Sequence, residues 1–212
     1  MDLPEDYKKG FKNFLGAKID LSKRPLIPRE ETEHWVDIAV KEIKEESECL
    51  DLFAGSGCIG ISILKNVKDS FCDFGEKEGV FLEQIKISLD LNDIDDRRYN
   101  LIATDVFSNI KKKYDYILAN PPYVAESRID EVGEDVKMFE PSIALYGGND
   151  GMEHIKTFLN EAVNHLKEEG IIYLEFDQEQ KDWIEEIVRG RYSKFDFFKD
   201  QFGEYRFIKI RK

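Results

Sequence analysis

The sequence is poor in cysteine, histidine and positive charge, and it has no long apolar run. Cys49, Cys58 and Cys72 are its three cysteines. The number is odd and no Cys-x-x-Cys pair occurs, which argues against a disulfide framework or a thiolate zinc centre and for a reducing compartment, the cytoplasm. His34, His154 and His165 are scattered without metal-ligand spacing, so no metal is expected and each reads as a surface or boundary residue. No stretch approaches the roughly 18–20 apolar residues of a membrane span, so no membrane partner is expected. Residues Met1 to Asp6 are acidic and carry no apolar core, so no signal peptide is read there. Glycine and proline number only 14 and 6, which excludes collagen-like and low-complexity chains. Lys and Arg total 31 against 44 Asp and Glu, a net charge of −13. Surfaces that grip nucleic acid are normally basic, so this balance lowers the expectation of a DNA or RNA substrate, although a local positive patch would escape the argument.

What is present is a globular composition, 42% hydrophobic and 35% charged over 212 residues. That length suits one domain, expected over residues 25–212, preceded by a short N-terminal arm over residues 1–24. Short apolar runs alternate with helical periodicity, the signature of a layered α/β fold. A helix is predicted over about Glu31–Glu46, then a buried strand Cys49–Phe53, a glycine-rich turn and a helix Cys58–Asn66. A strand over about Ser70–Gly75, a helix over Glu78–Leu91 and strands near Leu101–Ala103 and Tyr114–Ala119 follow. A long polar loop is expected over Val124–Asp150. A helix Gly151–Leu166 stopped near Gly170, a strand Ile171–Phe176 and a helix Gln178–Arg189 come next. Strands Lys194–Phe198 and Tyr205–Ile210 have no helix between them. They read as an antiparallel hairpin closing a seven-stranded, mostly parallel sheet, doubly wound and with ligands at the strand C-termini.

Residues 51–60 read Asp-Leu-Phe-Ala-Gly-Ser-Gly-Cys-Ile-Gly. Gly55, Gly57 and Gly60 match G-x-G-x-x-G between a strand and a helix, where small residues admit a ligand close to the backbone and a helix N-terminus offers free N–H groups. An acid at the end of the next strand can accept from both hydroxyls of a ribose. Glu76 is preferred over Asp73, which falls inside the strand. Asp105 is placed to meet an adenine amino group, or else to cap a helix, and Val106 to touch the ring. The fingerprint alone leaves a nicotinamide cofactor and S-adenosylmethionine both open.

Asn120-Pro121-Pro122-Tyr123 follows the strand ending at Ala119. Two prolines stop a strand in any case. The turn also sits beside the glycine-rich turn, and it joins an Asn amide to an aromatic face. An amide nitrogen is a weak nucleophile because its lone pair is delocalised. If the Asn120 side-chain oxygen and the Pro121 carbonyl accept its two N–H bonds, the nitrogen is oriented toward a methyl on sulfonium without a strong base. This points to amino methyl transfer.

The chain as a whole resembles the HemK-type protein-glutamine methyltransferases, over about Phe14 to Arg211. Four stretches carry the resemblance. They are Leu26-Ile27-Pro28-Arg29-Glu30-Glu31-Thr32-Glu33, the DLFAGSG turn, NPPY, and Phe139-Glu140-Pro141 with Ala144-Leu145 and Gly147-Gly148-Asn149-Asp150-Gly151. The resemblance implies a Rossmann-like class I methyltransferase fold and S-adenosylmethionine as cofactor. The implied reaction is methylation of the glutamine amide in the Gly-Gly-Gln motif of class-1 peptide chain release factors. It implies that Asp51, Phe53, Ala54, Gly55, Ser56 and Gly57 hold the methionine part of the cofactor, that Glu76 holds the ribose, and that Val106, with Asp105, meets the adenine. Asn120 then contacts both cofactor and glutamine, with Pro121, Pro122 and Tyr123 completing the glutamine pocket. Pro28, Arg29 and Thr32 line its mouth, and Glu140 lies on the substrate side. The bland readings are a surface pair of Arg29 with Glu31 or Glu33, and a loop anchor for Glu140-Pro141.

Three departures from the family pattern stand out. Phe53 replaces a usual glycine, Glu30 replaces a usual proline, and only about 25 residues precede Pro28 where the family carries a helical docking domain. A monomer acting on a protein partner is expected. Rival readings are an amino methyltransferase acting on adenine or guanine in DNA or RNA, a catalytically dead cofactor-binding module, and a nicotinamide oxidoreductase, which leaves NPPY unexplained.

Overall fold

The computed structural model describes residues 2–212; Met1, the first residue of the expected arm, lies outside the described residues. The chain opens with helix α1 (Glu5–Lys9) and strands β1 (Phe11–Phe14) and β2 (Ala17–Asp20). These residues, expected as an arm, are part of the packed body. Phe14, Ile19 and Leu21 are fully buried. The hairpin turns at Leu15-Gly16, both with positive φ (45° and 77°), the geometry of a tight primed turn. Leu15 is an unusual residue there, and its N–H is held by the Glu33 carboxylate at 2.8 Å.

Helix α2 (Glu30–Glu42) buries Thr32, Trp35, Val36 and Ala39. Glu30, Glu31 and Glu33 in its first turn complement the helix dipole. The helix ends about one turn earlier than expected, where Ile43 leaves it in an extended conformation and packs its side chain into the core. Strand β3 (Glu48–Leu52), helix α3 (Cys58–Asn66), strand β4 (Phe71–Glu76), helix α4 (Gly79–Leu91), and strands β5 (Tyr99–Ala103) and β6 (Tyr114–Ala119) fall close to their predicted positions. The loop after β6 contains a short helix α5 (Glu134–Phe139) and a bridge from Val124 to Tyr146. Helix α6 (Glu153–Glu161) is shorter than expected. Strand β7 (Leu166–Glu175) begins five residues before the predicted start, with Gly170 inside it. The pairing slips between Tyr114–Leu166 and Tyr116–Ile171, so a bulge absorbs residues that read as a helix stop. Helix α7 (Lys181–Val188) and strands β8 (Lys194–Lys199) and β9 (Tyr205–Arg211) complete the chain.

The main sheet has seven strands in the order β5-β4-β3-β6-β7-β9-β8. All neighbours are parallel except β9, which is inserted antiparallel between β7 and β8. Along β3, Cys49 joins one apolar core with α2, α3, α4 and the N-terminal hairpin, while Leu50 and Leu52 join the other with α6 and α7. Alternation of side chains across the sheet requires this division. The chain leaves β3 toward β4 on one side, and β6 packs on the other, with Leu52 opposite Ala119. The turns after β3 and β6 therefore meet at the switch point where such sheets bind ligands.

Candidate active site

The turn after β3 is built for close approach. A side chain at Gly60 would overlap the Phe74 ring and come within 2.9 Å of Cys72 Sγ, so only glycine lets α3 lie this close to β4. The Gly60 N–H donates to Asp51 Oδ2 at 2.9 Å, which ties the end of β3 to the first turn of α3. Asp51 is completely buried, and its Oδ1 is the one buried side-chain N or O atom without a hydrogen-bond partner among the described residues. Burial pushes the Asp51 carboxyl well above the usual carboxylate range, against the Gly60 hydrogen bond. Phe53 adopts a left-handed backbone (φ 62°), which glycine would occupy without strain. Its ring is accommodated by edge contact with His154 at 5.9 Å and by Phe158 at 6.3 Å.

An open cavity lies above this turn. Its lining includes Phe53, Ala54, Gly55, Ser56, Glu76, Asp105, Val106, Pro28, Arg29, Thr32, Asn120 and Pro122. Glu76 ends β4 inside it, only 8% exposed. Its Oε2 accepts from the Gly55 N–H and its Oε1 from the Glu78 N–H, each at 2.8 Å. Each oxygen keeps a lone pair for a further donor. Burial raises the Glu76 carboxyl above its ordinary value, while these backbone donors oppose the shift. Asp73, the rival acid, lies outside this cavity and accepts instead from Tyr114 and Asn100. Asp105 is exposed and pairs with Lys77 at 2.8 Å across the mouth.

A second, smaller cavity adjoins the first, and Asn120, Arg29, Leu26 and Ala144 line both. Pro121, Tyr123 and Glu175 line only the smaller one. The Asn120 Nδ2 donates to Thr32 Oγ1 at 3.3 Å. Glycines of the following loop fix the turn from outside, since a side chain at Gly147 would come within 2.6 Å of the Pro122 carbonyl oxygen. Gln180 adds bonds from its amide to the Tyr123 and Gly151 carbonyls at 2.8 and 2.9 Å.

Most of the residues singled out in the sequence converge here, with informative exceptions. Asp51 and Gly57 lie beneath the turn, outside the cavity lining. Arg29 pairs with Glu140 at 2.7 Å rather than with Glu31 or Glu33. Glu140 lines neither cavity. Its other oxygen accepts from the Ile27 N–H at 3.0 Å, so it clamps the Ile-Pro-Arg segment to the Phe-Glu-Pro loop. His154, read as a surface or boundary residue, lines the large cavity. Glu175 is missing from the sequence reading altogether. It is 1% exposed and accepts from the Thr32 hydroxyl, the Trp35 indole N–H and the Tyr123 hydroxyl at 2.7, 2.6 and 3.2 Å. Burial raises its carboxyl above the ordinary value, opposed by these donors and by the Arg206 charge.

The donor set fits S-adenosylmethionine. A largely apolar cavity carries one buried carboxylate with spare lone pairs, and a glycine turn opens onto a helix N-terminus. Residues 35–140 match the model of the methyltransferase small domain family. A Streptococcus pneumoniae protein named release factor glutamine methyltransferase is 31% identical over 210 residues, 98% of this chain and 74% of that protein. A methyltransferase structure from Pyrococcus furiosus superposes with a TM-score of 0.69 at 18% identity, over 93% of this chain and 89% of that one. A Thermus thermophilus 16S rRNA N2 G1207 methyltransferase, solved with AdoMet and guanosine, gives a TM-score of 0.67 at 16% identity, over 95% of this chain and 49% of that one. At such identities the two solved structures speak to the fold, which is the class I methyltransferase fold expected from the sequence.

Proposed function

Because the chain belongs to the release factor glutamine methyltransferase family, we propose that it methylates the side-chain amide nitrogen of the glutamine in the Gly-Gly-Gln motif of a class-1 peptide chain release factor. The observation that carries this reading is that Asn120 lines both cavities, so one side chain faces the cofactor and the acceptor together. S-adenosylmethionine, when bound, supplies an electrophilic methyl group on sulfonium. Glu76 holds the ribose hydroxyls with the lone pairs its two backbone donors leave free. Ala54, Gly55 and Ser56 hold the methionine end, Asp51 and Gly57 shape the turn from below, and Val106 with Asp105 flanks the adenine.

In the smaller cavity the glutamine amide is oriented, not deprotonated beforehand: its nitrogen would take the methyl carbon as the bond to sulfur breaks and would lose one N–H proton to solvent afterwards. Asn120 Oδ1 and the Pro121 carbonyl accept its N–H groups, Tyr123 walls the side chain in, and Pro122 closes the turn from the large-cavity side. Fixing a weak nucleophile at the correct angle can supply up to ~7–11 kcal/mol of the barrier in ideal cases. Pro28 and Arg29 shape the mouth of the pocket, with Glu140 holding Arg29 in place. The lining residues run from Leu26 to Glu175, within the stretch 25–212 read as the catalytic domain. Three free, buried thiols suit a reducing cytoplasm, and no helix among the described residues is long and apolar enough to cross a membrane.

The test is transfer of labelled methyl from S-adenosylmethionine to purified release factor, to tRNA and to DNA in parallel. Label in the release factor alone is the expected result. Label in a nucleic acid alone would replace this reading with an amino methyltransferase acting on bases.

A further inference from the structure

Asn120 can serve a substrate amide only if its oxygen, not its nitrogen, faces the acceptor. An Asn side chain has nearly the same shape in either orientation, so something must decide between them. The smaller cavity holds a candidate. Behind the Asn-Pro-Pro-Tyr turn, at the end of β7, the fully buried Glu175 carboxylate receives the Thr32 hydroxyl and the Trp35 indole N–H on one oxygen, Oε2. The indole nitrogen has no lone pair to offer, so Oε2 accepts from Trp35, and in the ionised carboxylate it can only accept from Thr32 as well. The Thr32 hydroxyl therefore gives its single proton to Glu175. It can meet Asn120 only with a lone pair, and the observed bond runs from Asn120 Nδ2 to Thr32 Oγ1. No hydrogen bond among the described residues ends on Asn120 Oδ1, which leaves that atom free.

We propose that Glu175 is a positioning residue for the methyl transfer. Acting through Thr32, it sets the direction of the hydrogen-bond chain Asn120→Thr32→Glu175 and so presents the Asn120 oxygen to the acceptor amide. Trp35 fixes the carboxylate from the α2 side. Arg206, itself held by Asp200 at 3.0 Å, contributes positive charge from β9. The same carboxylate holds the Tyr123 hydroxyl on its other oxygen, so both polar residues of the turn depend on one buried acid.

This inference rests on the reading that the site methylates a release-factor glutamine, and the experiment separates the two. Wild-type methylation of the release factor is measured first. Its absence sinks that reading and the inference with it. With activity established, turnover and KM for the release factor are compared for Thr32→Val, Thr32→Ser, Glu175→Gln and Glu175→Leu. Cofactor affinity is followed by calorimetry. Thr32→Val removes the acceptor for Asn120 at nearly constant volume. It should lower kcat by about 10–100-fold, the range for one lost orienting hydrogen bond to a buried polar group. Cofactor affinity should stay within about threefold.

Thr32→Ser restores the hydroxyl. Glu175→Gln can still offer an oxygen to Thr32 and Trp35. Both should remain within about threefold of wild-type kcat. Glu175→Leu should behave like Thr32→Val. If burying leucine there prevents folding, the Thr32 pair decides alone. The last arm places Thr32→Val on an Asn120→Ala background, where it should cost nothing further, because the atom it orients is gone. Wild-type turnover in Thr32→Val, or an undiminished loss on the Asn120→Ala background, would overturn the proposal.

Discussion

At the residue scale the site depends on a few buried carboxylates whose neighbours decide what each can do. Glu76 keeps one backbone donor on each oxygen and is turned into the large cavity. Glu76→Ala should therefore weaken S-adenosylmethionine at least tenfold, since two charge-assisted bonds to ribose contribute ~1.5–3 kcal/mol each. Calorimetry showing unchanged affinity would remove Glu76 from the ribose. Asn120→Ala should instead leave cofactor affinity nearly intact and lower turnover by ~10²–10³-fold, the range for a lost preorganised polar group. Turnover within a few-fold of wild type would contradict the orienting role.

Asp51 offers a test by pH. Its folded-state pKa lies above the unfolded one, so the folded chain binds its proton more tightly. The stability this contributes is fully present below the unfolded value of about 3.9 and is lost as pH rises through the folded value. Asp51→Asn lacks this dependence. Urea unfolding should show the variant gaining on the wild type between pH 4 and pH 8 (about two points of each curve suffice). A constant difference between the two proteins would show that Asp51 does not titrate in this way.

At the scale of elements, the two motifs that flank the acceptor pocket are joined by one side chain. Glu140 is only 2% exposed, whereas Arg29 is 34% exposed, so solvent screens part of their attraction. The less replaceable bond is the one from the buried Ile27 N–H. Glu140→Ala leaves that donor unsatisfied and should cost about 1–3 kcal/mol of stability. It should also speed amide exchange at Ile27. Glu140→Gln retains an acceptor and should restore most of the protection. An Ile27 amide as protected in the Ala variant as in the wild type would show that the segment is held by other contacts.

At the scale of the whole molecule, the parallel sheet was legible because its strands are short, buried and punctuated. Leu52 and Ala119 each run into a turn whose residues, Gly55 and Gly57 or Pro121 and Pro122, cannot continue a strand. Glu76, the buried acid of the large cavity, was legible for the same reason, since the strand period put it at the end of β4 and Asp73 inside it. The N-terminal hairpin was not legible, because Leu15-Gly16 lacks the Asn-Gly or Asp-Gly signature of such turns, and a carboxylate from α2 supplies what the sequence does not. The early start of β7 was hidden by Gly170, which reads locally as a helix stop. Glu175 was hidden by distance. Its partners Trp35 and Thr32 lie 140 and 143 residues away in the chain, and an acid ending an apolar strand looks like a solvated one until the fold buries it. The net charge of −13 spoke to the kind of partner and left its identity to the motifs.

The proposed function turns on the orientation of a release-factor glutamine amide by Asn120. Mass spectrometry of a class-1 release factor after incubation with the protein and S-adenosylmethionine tests it most directly. The expected product carries one added methyl group on the side-chain amide of the Gly-Gly-Gln glutamine, formed by the wild type and scarcely by Asn120→Ala in the same time. A release factor that stays unmodified while tRNA or DNA in the same mixture takes up the methyl group would contradict it.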